Sequence, residues 1–479
     1  MEDRSENKVI ENKKQDQEPN KEHSPDVLPK KRTRVNKRER KEIKKQQNIK
    51  EGKIDQNKPP KPQEIQYDPI LKEMITLPNI KEETNGITIM TYNLLAQSLC
   101  KRELFPNCGN ALKWKNRRPR LIKEIFHHSP DIGCFQEMDD INYNDTFKPK
   151  FDESGYDTLF FKGDKRHGCC IAWKKSKFIK IKELTLDFDK FGVPTMKTNC
   201  IGIIIALNIL NDGKENKGIV IGTTHLYWRP QSMYERTRQC LILYQNLLKL
   251  KKEFKFPAFL AGDFNSTPKD PIYHLMVNKS SLNEQQISIL QNSMRSFEKE
   301  SNGGNDTISE KEEILSSMIT PKDNDDEITI EQSSSKSFNV IVKPQSSQNL
   351  SSPLLKPQLE SLSDLLSNFE NLPKCLSLYG QNYHLIDSEN IEHSEPKITN
   401  YGIYFKGTLD YIFFVLDQND DHVQIGKDDD QSKIKKNYNI KVTKLLKLPR
   451  EEEFGSSSLP NYKFNSDHVC LMVEVVGIE

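Results

Sequence analysis

Six small clusters of polar residues each sit at one end of a short apolar run. Thr91-Tyr92-Asn93 follows Ile87–Met90, Gln136-Glu137 follows Ile132–Phe135, and Thr224-His225 follows Ile219–Gly222. Gly262-Asp263-Phe264-Asn265 follows Phe259-Leu260, Leu409-Asp410 leads into Tyr411–Phe414, and Ser466-Asp467-His468 leads into Val469–Val475. Carboxylates, imidazoles and carboxamides can hold a hard cation, deprotonate a water and donate hydrogen bonds to developing negative charge. One such residue at a strand end is most often a turn former or a satisfied hydrogen-bonding group. Six such clusters in one chain, all at strand ends, point to a shared cleft at a sheet edge.

Those clusters need elements to carry them. Apolar runs at Ile87–Thr91, Ile132–Gln136, Cys169–Trp173, Ile201–Leu207, Ile219–His225, Ala258–Gly262, Tyr411–Phe414 and Val469–Val475 are each long enough for a buried strand. Helical patterns fall between some of them: Leu121, Ile122, Ile125 and Phe126 share one face, and Leu241, Tyr244, Leu247 and Leu248 recur at helical spacing within Tyr234–Phe254. Strands mixed with helices predict a layered α/β domain, with sheets inside and helices outside.

Residues 1–65 are mostly Lys, Glu, Gln, Asn and Pro, with too little apolar surface to offset the entropy of ordering, and are expected to form a disordered basic tail. Within it Lys30–Lys50 sets eleven basic residues against Glu39 and Glu42, a density suited to phosphates or an import receptor, with 30–45 as the candidate nuclear localisation signal. A second polar stretch, 279–377, is expected to be a disordered acidic insert with a short helix near Leu354–Phe369. The folded domain is therefore read as 66–479, interrupted by that insert, which leaves roughly 300 residues of packed chain.

With 71 Lys and Arg against 69 Asp and Glu, the formal net charge of +2 gives no reason to expect a globally basic nucleic-acid binder or an acidic chaperone. The nine cysteines contain no C-x-x-C pair, and His127-His128, His384 and His393 lack zinc spacing, so neither a disulfide framework nor a zinc site is readable. The longest apolar run, Ile201–Leu210, falls short of the roughly 18 to 20 residues that cross a bilayer, and the polar N-terminus lacks a signal-peptide core. A soluble, non-secreted protein of the cytoplasm or nucleus is expected, with no membrane partner.

The ordered set TYN, QE, TH, GDFN, LD and SDH resembles the active-site signature of the endonuclease/exonuclease/phosphatase superfamily, and all six elements are present in order. The text around Thr91–Ala96, Leu121–Ile125, Cys134–Glu137 and Phe405–Phe413 is similar to the carbon-catabolite-repressor-type deadenylases, nocturnin and, most of all, the fungal Ngl-type RNA exonucleases. The resemblance implies a four-layer αββα sandwich of the DNase I type. It also implies a Mg²⁺-dependent 3′ to 5′ RNA exonuclease, with Mn²⁺ as a substitute ion. Single-stranded RNA 3′ ends would be its substrate, in poly(A) shortening or ribosomal RNA maturation.

Phosphodiester hydrolysis needs a divalent cation, a positioned water and donors to the charged transition state. Glu137 is the expected Mg²⁺ ligand, with Asp467 a second. Asp263 would orient and deprotonate the water, Asn265 would donate to the phosphate, and His468 would donate to the scissile phosphoryl oxygen. By resemblance, Asp410 is the partner of His468, His225 is a second phosphate donor and Asn93 holds Glu137 or the water. The resemblance also places an adenine between Pro230 and Phe405, in the aromatic and cationic segments Tyr227–Pro230 and Tyr404–Lys406, with Arg229 and Lys406 near phosphates. Two rival readings are a phosphatase or phosphodiesterase of a small nucleotide metabolite, which would not depend on Pro230 and Phe405, and a non-catalytic RNA-binding factor, which would have no need of Asp263 and His468 together.

Overall fold

The computed structural model describes residues 68–78, 80, 86–210, 217–278, 281–301, 359–390, 394–417, 440–455 and 458–478, together with 44, 46 and 47; for 295–301 the backbone alone is described. The chain divides into two units, Met1–Gln66 and Tyr67–Glu479, and every element below belongs to the second. Apart from the three residues just named, the expected basic tail lies outside the described residues, as does 302–358 of the expected insert. Among the described residues no helix is long and apolar enough to cross a membrane.

Two sheets dominate. The first has seven strands in the order β1 (Met74–Thr76), β14 (Lys441–Leu446), β15 (Leu471–Val476), β2 (Ile87–Asn93), β3 (Ile132–Asp139), β5 (His167–Lys174) and β4 (Tyr156–Phe161). The second has six, in the order β10 (Cys375–Ser377), β13 (Asp410–Val415), β9 (Ala258–Asp263), β8 (Gly218–Thr224), β7 (Ile201–Ile209) and β6 (Phe178–Asp187). A small hairpin pairs β11 (Asn400–Tyr401) with β12 (Lys406–Gly407). Among the described strands only β2 with β3 and β8 with β9 run parallel. Each of these pairs is joined through a helix, α1 (Trp114–His128) in the first and α2 (Met233–Phe254) in the second. The domain thus contains two βαβ units, one per sheet.

Alternate residues sort to opposite faces, as the pleat requires. Ile203, Ile205 and Leu207 of β7 join Ile89, Ile132, Ile171 and Val473 of the other sheet in one core between the sheets. Ile204 and Ala206 face the other way, onto Leu243 and Leu247 of α2. Leu121 and Ile125 of α1 pack on Met90, Phe135 and Met472 across the far face of the first sheet. The result is the expected four-layer αββα sandwich, and strands covered on both faces explain the unbroken apolar runs.

The expected insert needs correction at both ends. Helix α3 (Glu284–Ser301) occupies a stretch assigned to disorder, helix α4 (Leu362–Glu370) lies where a short helix was expected, and Cys375–Ser377 is strand β10, paired with β13. Leu290, Leu365 and Phe369 bury themselves against the α2 side of the second sheet. Each helix contributes only a few apolar anchors beneath an otherwise polar face, so composition alone hides it. The short helix expected within 354–369 is α4, whose Ser361 cap accepts from the Asp364 N–H at 3.1 Å.

Candidate active site

Both parallel pairs open at the same kind of edge, beyond their C-terminal ends, where open α/β sheets hold ligands. β2 ends in Asn93, and β3 runs on past Gln136 to Asp139. Glu137 sits at the register shift between Phe135 and Met138, with a left-handed φ of 53°. Such a backbone costs a non-glycine residue energy and persists where surrounding contacts over-determine it. Those contacts are the Asn93 amide, which donates to Glu137 Oε1 at 3.0 Å, and the Ala96 N–H, which donates to Oε2 at 3.0 Å.

The second sheet brings His225 and Asp263 together, bridged backbone to backbone at the ends of β8 and β9. Gly262 permits this approach: a Cβ there would lie 2.5 Å from the Thr224 carbonyl oxygen. The two sheets then meet through side chains. The Asn93 amide also donates to Asp263 Oδ2 at 2.9 Å, and His225 lies 3.8 Å from Glu137 Oε1 through Nδ1 and 3.7 Å from Asp263 Oδ2 through Nε2. From the first sheet's C-terminal arm, His468 Nδ1 hydrogen-bonds Asp410 Oδ2 at 2.8 Å while Nε2 faces Asp263 Oδ2 at 3.5 Å. Asp410 Oδ1 is buried, and among the described residues no hydrogen bond of ordinary distance and angle reaches it.

Asp263, Asp410 and His468 lie close enough to hold an ion among themselves. The His468 imidazole already meets Asp410 through Nδ1 and faces Asp263 through Nε2, so the trio reads as a carboxylate–imidazole–carboxylate relay. Glu137 suits a hard cation better: it is a largely buried anion whose partners are an amide, a backbone N–H and an imidazole, with no Lys or Arg paired to it among the described residues. Burial works against its charge, but the neighbouring imidazoles of His225 and His167 and the Asn93 hydrogen bond hold its carboxyl down to about 2. Asp467 feels burial and the charge of Glu137, and both raise it. Burial pushes Asp410 up to about 6. Burial also opposes charge on His468, but Asp410 and Asp263 outweigh it and raise the imidazole well above its ordinary value.

The GDFN turn sets Asn265 beside Asp263, with φ 47° and its N–H donating to Asp263 Oδ1 at 2.9 Å. One side-chain N–H of Asn265 is taken by the Leu226 carbonyl at 2.8 Å. Phe405 is exposed on the β11–β12 hairpin, and that hairpin is laced to the His468 strand: the Tyr401 N–H donates to the Asp467 carbonyl and the Val469 N–H to the Thr399 carbonyl, both at 2.8 Å. Pro230 is exposed, and the Arg229 guanidinium lies 5.8 Å from the Trp228 ring centroid. Lys406 is exposed beside Phe405, and its ammonium pairs with the exposed Glu451.

The helices hold residues that strand-end motifs do not reveal. Arg117 of α1 is fully buried and donates to the carbonyls of Leu94, Leu95 (2.8 Å) and Asn465 (2.6 Å), tying the loop after Asn93 to the segment before Asp467. Glu124 accepts from Tyr92 (3.0 Å) and Asn465 (2.9 Å), and burial pushes it up to about 7. On α2, Arg236 donates to the carbonyls of Asn265 and Arg229, while Glu235 and Arg238 form a buried pair at 2.6 Å. Their signal was available in part, since Arg117, Arg120 and Glu124 repeat at helical spacing beside the apolar stripe.

Carboxylates and imidazoles converging from two βαβ units inside an αββα sandwich define a hydrolytic centre, and the chain belongs to the Endonuclease/Exonuclease/phosphatase family, whose model matches residues 90–415. Within that family it is 33% identical over 433 residues to the Schizosaccharomyces pombe protein named Probable RNA exonuclease C9B6.11c, covering 86% of this chain and 82% of the relative. It is 29% identical over 424 residues to RNA exonuclease NGL2 of Saccharomyces cerevisiae, covering 81% and 77%. A crystal structure of ANGEL2, described as a 2′,3′-cyclic phosphatase, shares the fold with a TM-score of 0.57 at 22% identity, covering 85% of this chain and 98% of that one.

Proposed function

We propose that the protein is a Mg²⁺-dependent 3′ to 5′ RNA exonuclease that shortens RNA 3′ ends, as in poly(A) trimming or ribosomal RNA maturation. The observation that carries this reading is the two-sheet convergence on Asp263: one of its oxygens faces the Asn93 amide, His225 and His468 at 2.9, 3.7 and 3.5 Å. Relatives named RNA exonucleases support the substrate class.

In this reading Asp263 accepts a proton from the attacking water, and Asn93 holds the carboxylate in line for it. His468, kept protonated by Asp410, donates to a phosphoryl oxygen as charge builds there, while His225 and the remaining Asn265 N–H donate to the other oxygens. Glu137 and Asp467 would hold Mg²⁺, or Mn²⁺ in its place, and a bound divalent ion supplies neutralisation of phosphoryl charge. Pro230 and Phe405 would enclose the terminal base, with Arg229 near its phosphate.

The test is a 5′-labelled RNA with a mixed body and an adenine-rich 3′ end, incubated with Mg²⁺ or EDTA beside Asp263→Ala. A Mg²⁺-dependent ladder from the 3′ end, absent in the variant, is expected; intact RNA in every lane would overturn the reading. A second reading, removal of a terminal phosphate, is favoured by the 25% identity over 402 residues to Protein angel homolog 2 of Bos taurus together with the fold shared with ANGEL2. It predicts that RNA ending in a 2′,3′-cyclic phosphate changes mobility by its phosphate without losing nucleotides.

A further inference from the structure

The chain is close to neutral as a whole, yet the segment from Gln97 to Arg118 carries Lys101, Arg102, Lys113, Lys115, Arg117 and Arg118 against a single carboxylate, Glu103. Arg117 is spent internally on loop carbonyls. Lys101, Arg102, Lys113 and Arg118 are exposed, and among the described residues none of them meets a carboxylate. Several other lysines are paired with carboxylates. Lys162 pairs with Asp140, Lys197 with Asp164, Lys190 with Asp187 and Lys406 with Glu451.

The unpaired cations are also anchored to the active site. The N–H groups of Ala96, Gln97 and Ser98 donate to Glu137 and Asp139 at 3.0, 2.6 and 3.2 Å. Leu95, Phe105, Cys108 and Leu112 form a small core of their own beneath the loop. Arg117 then locks the far end of the segment to Leu94, Leu95 and Asn465. A loop with its own core, fastened at both ends to the catalytic strands, presents positive charge at a defined place rather than as a solvated tail.

We propose that 97–118 is a docking surface for the sugar-phosphate backbone of single-stranded RNA on the 5′ side of the scissile bond, with Lys101, Arg102, Lys113 and Arg118 meeting its phosphates. The inference deepens the exonuclease reading and rests on it for the identity of the strand. Opposite charge alone recommends the partner: each phosphate neutralised by a cation releases counterions, so binding acquires a salt dependence of about 0.7 per contact in log–log slope for single strands.

The experiment measures binding of a fluorescent single-stranded RNA of about 20 nucleotides to the full chain in EDTA, across a salt series, for three proteins. They are wild type, the patch variant K101Q/R102Q/K113Q/R118Q, and a charge-matched control, K148Q/K150Q/K182Q/K190Q, drawn from cations already paired to carboxylates. The patch variant should bind at least tenfold more weakly at low salt and lower the slope by roughly 3, while the control follows wild type. Equal slopes in the patch variant and wild type, or equal losses in patch variant and control, would overturn the proposal. If the fourfold variant melts early, the pairs K101Q/R102Q and K113Q/R118Q are to be measured separately, each with half the slope change. Parallel incubation of wild type with Mg²⁺ separates the two claims: unshortened RNA with a patch-dependent slope defeats the exonuclease reading and keeps the surface, whereas shortened RNA with unchanged slopes defeats the surface alone.

Discussion

The two βαβ units deliver matching pairs to the site, Asn93 and Glu137 from one, His225 and Asp263 from the other, but among the described residues their crossover helices differ in whether a buried arginine meets a carboxylate. Helix α2 pairs one buried arginine, Arg238, with the buried Glu235 at 2.6 Å, where Glu235 also accepts from Thr195 at 2.9 and 3.0 Å, and spends another, Arg236, on the carbonyls of Asn265 and Arg229. Helix α1 leaves Arg117 without a carboxylate among the described residues and spends the guanidinium on backbone carbonyls from two distant loops. A paired charge strengthens a helix in its place. An unpaired one fastens segments that the helix does not itself contain, and α1 must do so because the first sheet draws its site residues from both early and late parts of the chain.

The largest effect should be the same for both units. Glu137→Ala and Asp263→Ala are each expected to cut kcat by about 10³-fold on RNA while leaving melting temperature near wild type, as suits groups that act on substrate. If one variant kept near wild-type turnover, the site would not be a joint product of the two sheets. Arg238→Met and Arg117→Met separate the helices. Removing Arg238 strands the buried Glu235 carboxylate and should cost about 3 to 5 kcal/mol in denaturant unfolding. Removing Arg117 strands carbonyls and should cost about 3 kcal/mol, with turnover per folded molecule falling as well. Loss of turnover in the Arg238 variant but not in the Arg117 variant would reverse the assignment of roles.

Glu124 offers a finer probe of α1. Its folded value, about 7, stands above the ordinary 4.5, so its contribution to stability is complete below about pH 4.5 and is lost as pH rises to 7. Glu124→Gln should flatten the stability profile across that window and gain on wild type as pH rises, by a total on the order of 3 kcal/mol. Glu395, also pushed up to about 7 by burial, leaves a residual slope. An unchanged profile would mean that Glu124 is not the titrating group. The smallest effect lies at the rim, where Phe405→Ala should raise KM for oligo(A) by about tenfold and leave a generic phosphodiester nearly unaffected, stacking being worth roughly 1 to 3 kcal/mol per base.

Each of the eight apolar runs became part of a strand because burial on both faces writes itself into consecutive residues, as in Ile201–Leu207. β6 was missed for the converse reason. Phe178–Asp187 is an edge strand whose Lys and Glu alternate with Ile179 and Ile181 at exposed positions, so its pattern carries little apolar signal. The strand-end clusters could be located because each was a short polar break beside such a run. Arg117 and Arg236 could not be assigned in the same way, since their partners are backbone carbonyls, which every residue possesses. Lys406 shows the remaining limit: the cation was visible, but Glu451, 45 positions away, was not.

The pairing of β15 with β2 has a consequence in time. The Ser466 hydroxyl donates to the Asn93 carbonyl across 373 residues of chain, and that is the distance synthesis must travel before the site exists. A nascent chain acquires Asn93 and Glu137 early and Asp263 midway, yet His468 arrives just before the last strand to emerge. A product released before residue 466 would lack Ser466, Asp467 and His468 together, so in the proposed reading it would have neither the second metal ligand nor the imidazolium donor, and the site is finished only by the last strand to be made.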